Sequence, residues 1–184
     1  MSNLVSALNG KSENGVQECG LRGMITLRGD LSDVTLRKTC LQITGVEVPE
    51  TRRVNMSGDR GLAWMSPDEL LILLPYGDVA DALTQIETGL AGTHFMAENV
   101  SDARAMFTIA PDIARDTIAR LSPVDMSNDS FSSGDFRRTR IAQVAAAFWM
   151  SDTGMVQVIC FRSVAQYVFG TLSNAAKSGP VGHF

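Results

Sequence analysis

Histidine is nearly absent from this chain: 184 residues hold two, His94 and His183. The three cysteines, Cys19, Cys40 and Cys160, stand far apart, and no two form a CxxC pair. An odd, scattered set of this kind excludes a disulfide framework and a structural zinc site, and its plain reading is free thiols in a reducing compartment. No GxGxxG turn and no phosphate-cradling lysine loop occurs, nor does HExxH or GxSxG. No apolar run approaches the ~20 residues of a membrane span. Met1 to Gly20 contains no apolar stretch of the signal-peptide kind. A cytoplasmic chain with no membrane association is the expectation, with the Asn-x-Ser triplets at Asn55, Asn99 and Asn128 as chance matches. An excess of basic charge is missing too. Sixteen Lys and Arg against twenty Asp and Glu leave a net charge of −4. The global field of a nucleic-acid binder is therefore absent, and no nucleic acid is expected as a partner.

Apolar residues make up 45% of the sequence and charged ones 20%, enough to bury a globular core. Residues 1–20 are polar and glycine-containing and read as an N-terminal arm, with Leu4, Val5 and Leu8 as an apolar face at helical spacing. Order is expected from Leu21. Met24 to Leu27 reads as a strand. Asp30 or Ser32 can N-cap a following helix that carries Val34, Leu36, Cys40, Leu41 and Ile43 and stops at Gly45. Arg53 to Met56 and Leu62 to Met65 read as a hairpin around Ser57–Gly61. Leu70 to Leu74 is short enough for a buried strand. Asp78 can cap a helix lined by Val79, Leu83, Ile86 and Leu90. His94–Val100 and Ala105–Ile109 read as extended. Pro111 opens another helix, with Ile113, Ile118 and Leu121 on one face. Ser122–Gly134 is the longest polar loop. Arg138–Val144, Ala146–Met150 and Met155–Phe161 read as strands, and a last helix starts at Arg162 or Ser163 with the stripe Val164, Tyr167, Val168 and Leu172. Residues 178–184 form a tail.

An internal echo organises these elements. Met24-Ile25-Thr26-Leu27 and a helix return as Met106-Phe107-Thr108-Ile109 and a helix; Trp64-Met65-Ser66 returns as Trp149-Met150-Ser151. Both copies end in an apolar strand and an amphipathic helix. The reading is α+β: two similar halves, residues 21–92 and 100–177, within one domain over 21–177, with antiparallel sheets and packed helices.

Candidates for chemistry are sparse. Asp30 with Asp33 and Asp68 with Glu69 are possible acid–base pairs, but a helix start and a tight turn account for them. Asp102 and Arg104 can pair locally. Arg138 and Arg140 share one strand face and Arg137 takes the other, as on a solvated edge strand. Trp64 and Trp149 are expected in the core. No catalytic, cofactor or metal residue emerges. Leu4, Val5, Leu8, Phe131, Arg138 and Arg140 are the contact candidates, Phe131 as an exposed aromatic anchor in a polar loop, with folding back onto the core as its alternative.

The segments Met24–Asp30, Trp64–Leu70 and Val100–Arg104, Pro111 with its helix, the Phe131–Gly134 loop, Arg138-Thr139-Arg140-Ile141-Ala142, and Phe161-Arg162-Ser163 with Tyr167 resemble the gamma subunits of heterotetrameric sarcosine oxidase. That group is similar to the folate-binding fold of the glycine-cleavage T-protein. The resemblance covers Leu21 to Ala176. It implies a duplicated α+β fold and a complex with alpha, beta and delta subunits. Such a complex oxidises sarcosine to glycine with oxygen, releases hydrogen peroxide and passes the one-carbon unit to tetrahydrofolate. FAD, FMN and NAD would sit in alpha and beta, zinc in delta, and none in this chain, which would be structural. A stand-alone folate-binding protein or one-carbon transferase is the alternative.

Overall fold

The computed structural model describes residues 6–181, in which eleven strands and four α-helices are arranged as two compact units, 22–102 and 103–181 with residues 6–21.

In the first unit, β3 (Arg22–Arg28) leads into α1 (Val34–Thr44), and β4 (Val54–Ser57), β5 (Arg60–Ser66) and β6 (Glu69–Pro75) form a meander. Helix α2 (Val79–Gly89) and β7 (Met96–Asn99) follow. The sheet is antiparallel in the order β4-β5-β6-β3-β7. Asp33, and neither Asp30 nor Ser32, caps α1: its carboxylate accepts from the Leu36 N–H at 2.8 Å, whereas Asp30 accepts from the Ser32 N–H and hydroxyl and so holds the preceding turn. A side chain three residues ahead of an orphan helix N–H satisfies it, and one six residues ahead cannot. Gly45 ends the helix at φ +74°, donating to the Leu41 carbonyl, as expected of a left-handed cap.

Leu36, Cys40 and Ile43 of α1 and Val79, Ala82 and Ile86 of α2 pack on Ile25, Leu27, Leu62, Leu70 and Ile72 of the sheet. Leu71 and Leu73, on the other side of β6, are fully buried as well. Hence the unbroken apolar run from Leu70 to Leu74, which alternation alone does not explain. The helices approach closely at Gly89, where an added Cβ would lie 2.7 Å from the Thr39 hydroxyl.

The second unit repeats the plan. Strand β8 (Arg104–Ile109) leads into α3 (Pro111–Leu121), a meander of β9 (Phe136–Ile141), β10 (Val144–Met150) and β11 (Val156–Phe161), and α4 (Ala165–Ala176). The sheet order is β9-β10-β11-β8-β2-β1. Its last two members are β1 (Ser12–Glu13) and β2 (Val16–Glu18), inside the segment read as an arm. That reading is corrected. Val16 is fully buried in the core with Phe107, Ile118 and Val168, and β2 lies antiparallel to β8, with Val16 opposite Ile109 and Glu18 opposite Phe107. Strand β2 thus fills on β8 the place that β7 fills on β3.

Three smaller expectations also change. The strand expected over Arg138–Val144 is interrupted by a turn at Ala142, φ +49°. Tyr167 faces out of α4, where Phe169 takes its place in the core. Trp64 and Trp149 are not equivalent. Leu62, Ile72 and Ile25 form one cross-sheet row, and Phe148, Val158 and Phe107 form its counterpart. Two residues on from these rows stand Trp64 and Met150. Trp149 is therefore one residue out of phase with Trp64 and faces the other side of its sheet.

Candidate functional site

The carboxylates that invite an acid–base reading are all engaged in local structure. Asp33 is a cap. Asp68 accepts from the Ser66 hydroxyl at 2.6 Å and, with Glu69, flanks Arg28 at 3.4 and 3.6 Å. The Ser66 hydrogen bond, opposed by desolvation and helped by Arg28, holds the Asp68 carboxyl below its usual range. The Ser32 hydrogen bonds do the same for Asp30. Asp102 accepts from the Tyr76 hydroxyl at 3.1 Å through both oxygens. Asp78 occupies the N-cap position of α2 without capping it and pairs with Arg60 instead.

Nucleophiles are no better placed. Burial pushes the Cys40 and Cys160 thiols up to about 12, against smaller opposite pulls from Arg37 and Arg104. A thiol in that state is not a nucleophile at neutral pH. His94 is exposed just ahead of β7, and His183 lies outside the described residues. Among the described residues no group of three His, Cys, Asp or Glu side chains can hold a metal ion, and no helix is long and apolar enough to cross a membrane.

Of the contact candidates, Leu4 and Val5 lie outside the described residues. Leu8 is half-buried against the core of its own unit. Phe131 is not an exposed anchor: it is fully buried, its ring 5.6 Å from that of Phe148, with the Arg137 guanidinium 5.3 Å above it. The loop folds back because Asp125 accepts from the Ser130 hydroxyl and the Ser127 N–H, bonds that hold its carboxyl below the usual range. Arg138 and Arg140 are exposed on the same face of β9, as alternation requires.

Two surface features stand out that sequence reasoning missed. At one corner Phe161, 54% exposed, ends β11 beneath the Arg104 guanidinium at 5.7 Å. In the first unit, the β3–α1 turn, Arg37, the loop over residues 48–51, Trp64 and Pro67 surround an open cleft of about 550 Å³. The signal for the cleft was present: Pro49 and Pro67 keep two loops stiff on either side of an indole.

The fold and these sites define a duplicated α+β protein with an open cleft and an exposed aromatic corner and, among the described residues, no assembled catalytic constellation. The chain belongs to the sarcosine oxidase, gamma subunit family, whose model matches residues 28–178. Among solved structures, it is similar to a chain of heterotetrameric sarcosine oxidase from Corynebacterium sp. U-96, at 16% identity and a TM-score of 0.80, covering 95% of this chain and 90% of that one. It is also similar to glycine cleavage system aminomethyltransferase T from Bartonella henselae, at 10% identity and a TM-score of 0.62, covering 90% of this chain and 47% of that one. No curated protein matches by sequence. At these identities the likenesses bear on the fold, and the family match bears on the lineage.

Proposed function

We propose that the chain is a non-catalytic structural subunit of a cytoplasmic sarcosine oxidase complex with alpha, beta and delta partners. The complex oxidatively demethylates sarcosine to glycine with oxygen, yields hydrogen peroxide and hands the one-carbon unit to tetrahydrofolate. FAD, FMN, NAD, zinc and tetrahydrofolate belong, on this reading, to the other chains. The observation that carries it is the gamma subunit family match across residues 28–178. Support comes from the site inventory, in which local hydrogen bonds and burial account for the carboxylates and for Cys40 and Cys160. The test is co-expression with the three partners followed by size exclusion and a sarcosine-dependent peroxide assay. The expected result is co-elution, with no turnover by the isolated chain. Elution of the chain alone, with assembly and activity unchanged when it is omitted, overturns the proposal. So does saturable calorimetric binding of tetrahydrofolate by the isolated chain, which instead marks a stand-alone folate protein or one-carbon transferase.

A further inference from the structure

Trp64 departs from the row it belongs to. It stands opposite Leu70 on the helix-covered face of the sheet, two residues beyond the fully buried Leu62, yet it is only half-buried and forms a wall of the cleft. The next position carries a register shift between Trp64 and Ser66, and such bulges re-aim side chains. A large indole left partly in water is apolar area still available for burial.

The charges beside it have one predominant sign. Asp30 and Glu50 line the cleft with carboxylates, and Arg37 is the one cation among the lining residues. The Arg37 guanidinium is already engaged, donating to the Leu31 carbonyl at 3.3 Å. Asp30 is ionised at neutral pH, its charge favoured by the Ser32 hydrogen bonds. Pro49 and Pro67 complete the walls with rigid apolar surface, so little conformational freedom is lost when something enters.

A half-buried indole, two carboxylates and stiff apolar sides complement a flat cation on an apolar stem. Guanidinium meets those terms better than ammonium: it stacks on indole and offers a planar fork of donors to carboxylates. The cleft is open, with exposed carboxylates at its rim. A free small molecule would leave much of its surface wet there, whereas ligand sites bury most of theirs. An arginine carried on a protein surface closes the cleft with its own surroundings, as anchor residues do at interface centres. We propose that this cleft receives an arginine side chain of a partner subunit. The proposal rests on the reading that the chain works inside a complex, and it assigns one docking point within it.

Two measurements test it. In the isotope-labelled full chain, the Trp64 indole N–H signal is followed during titration with N-acetylarginine methylamide and with its neutral analogue, N-acetylcitrulline methylamide. A saturable shift with the arginine compound, weak with the citrulline compound and lost in the Asp30→Asn/Glu50→Gln variant, is expected, while the Trp149 signal stays fixed. Equal response to both compounds, or none, overturns the proposal. In the co-expressed complex, the double variant should bind its partners at least about tenfold more weakly, with its own circular dichroism spectrum unchanged. Unchanged affinity also overturns it. If the wild-type chain itself fails to assemble, the subunit reading fails and the arginine titration alone decides the cleft.

Discussion

Phe131 lies among serines and aspartates, and every local cue points to solvent. One ring is nonetheless sealed against Phe148, because the Asp125 turn and the Arg137 guanidinium direct the loop inward. Composition averages over a loop and does not register a single buried side chain, which is why this role was not legible. Truncation should therefore act on the chain and not on assembly. Phe131→Ala is expected to cost about 3–5 kcal/mol, the range for emptying an aromatic core site, read as a lower denaturant midpoint with unchanged partner affinity of the folded fraction. The two buried thiols give a second residue-scale expectation. Their folded values are raised to about 12 from 9.0, so the unfolded chain loses these protons first. Stability from this source is intact below pH 9 and falls between pH 9 and 12. At pH 10 each thiol should have withdrawn roughly 1 kcal/mol. Cys40→Ala and Cys160→Ala variants, melted across that range, should show a flatter alkaline decline, and equal slopes would contradict the account.

At the scale of elements, the cues that worked were physical and local. The Gly45 stop of α1, Pro111 at the head of α3 and the apolar run of β6 follow from a left-handed cap, fixed φ and double-sided burial, whereas the N-cap of α1 falls on Asp33 and not on Asp30 or Ser32. The cleft was only half legible: its prolines are visible in sequence, but the exposure of Trp64 depends on a bulge that sequence does not announce. Strands β1 and β2 were missed although Asn14-Gly15, both at positive φ (53° and 76°), is the strongest short hairpin signal there is. What hid them is Glu18, a carboxylate 1% exposed whose Oε2 accepts from the Ser6 hydroxyl and the Gly10 N–H. A buried polar side chain breaks the apolar alternation by which strands are read. If β2 is a true member of its sheet, deleting residues 1–18 must expose the β8 edge and remove Val16 from the core. Amide exchange at Thr108 and Ala110, on the side of β8 that faces β2, where the Ala110 N–H donates to the Gly15 carbonyl at 2.9 Å, should then quicken markedly, while Ile25 and Leu27 of β3 keep their protection. Unchanged β8 exchange would return the segment to the status of an arm.

Across the whole molecule, the duplication was legible because element order survives where side chains do not. Strand, helix, three-stranded meander and helix recur with matching sheet orders, even though the tryptophan echo that advertised them is one residue out of phase. The copies differ in where the edge strand comes from. In one it follows its own helix, as β7 follows α2; in the other β2 comes from the N-terminal segment, ahead of both halves. The end of α4 nevertheless lies where such a strand could be attached. Lys177 is 3.4 Å from Glu13, and the Asn14 side chain donates to the Ser173 carbonyl at 3.3 Å. A circular permutant that starts at Arg22 and carries residues 1–21 behind Phe184 on a short flexible linker should therefore restore the plan of the first unit in the second. Closure entropy grows only slowly with loop length, so the added linker costs little. The permutant is expected to match the circular dichroism of the parent and melt within several degrees of it, well above the chain from which residues 1–18 are deleted. A permutant no more stable than the deletion would mean that β2 needs its native connection to Leu21 to find β8, and that the likeness of the two edges is geometric without being functional in folding.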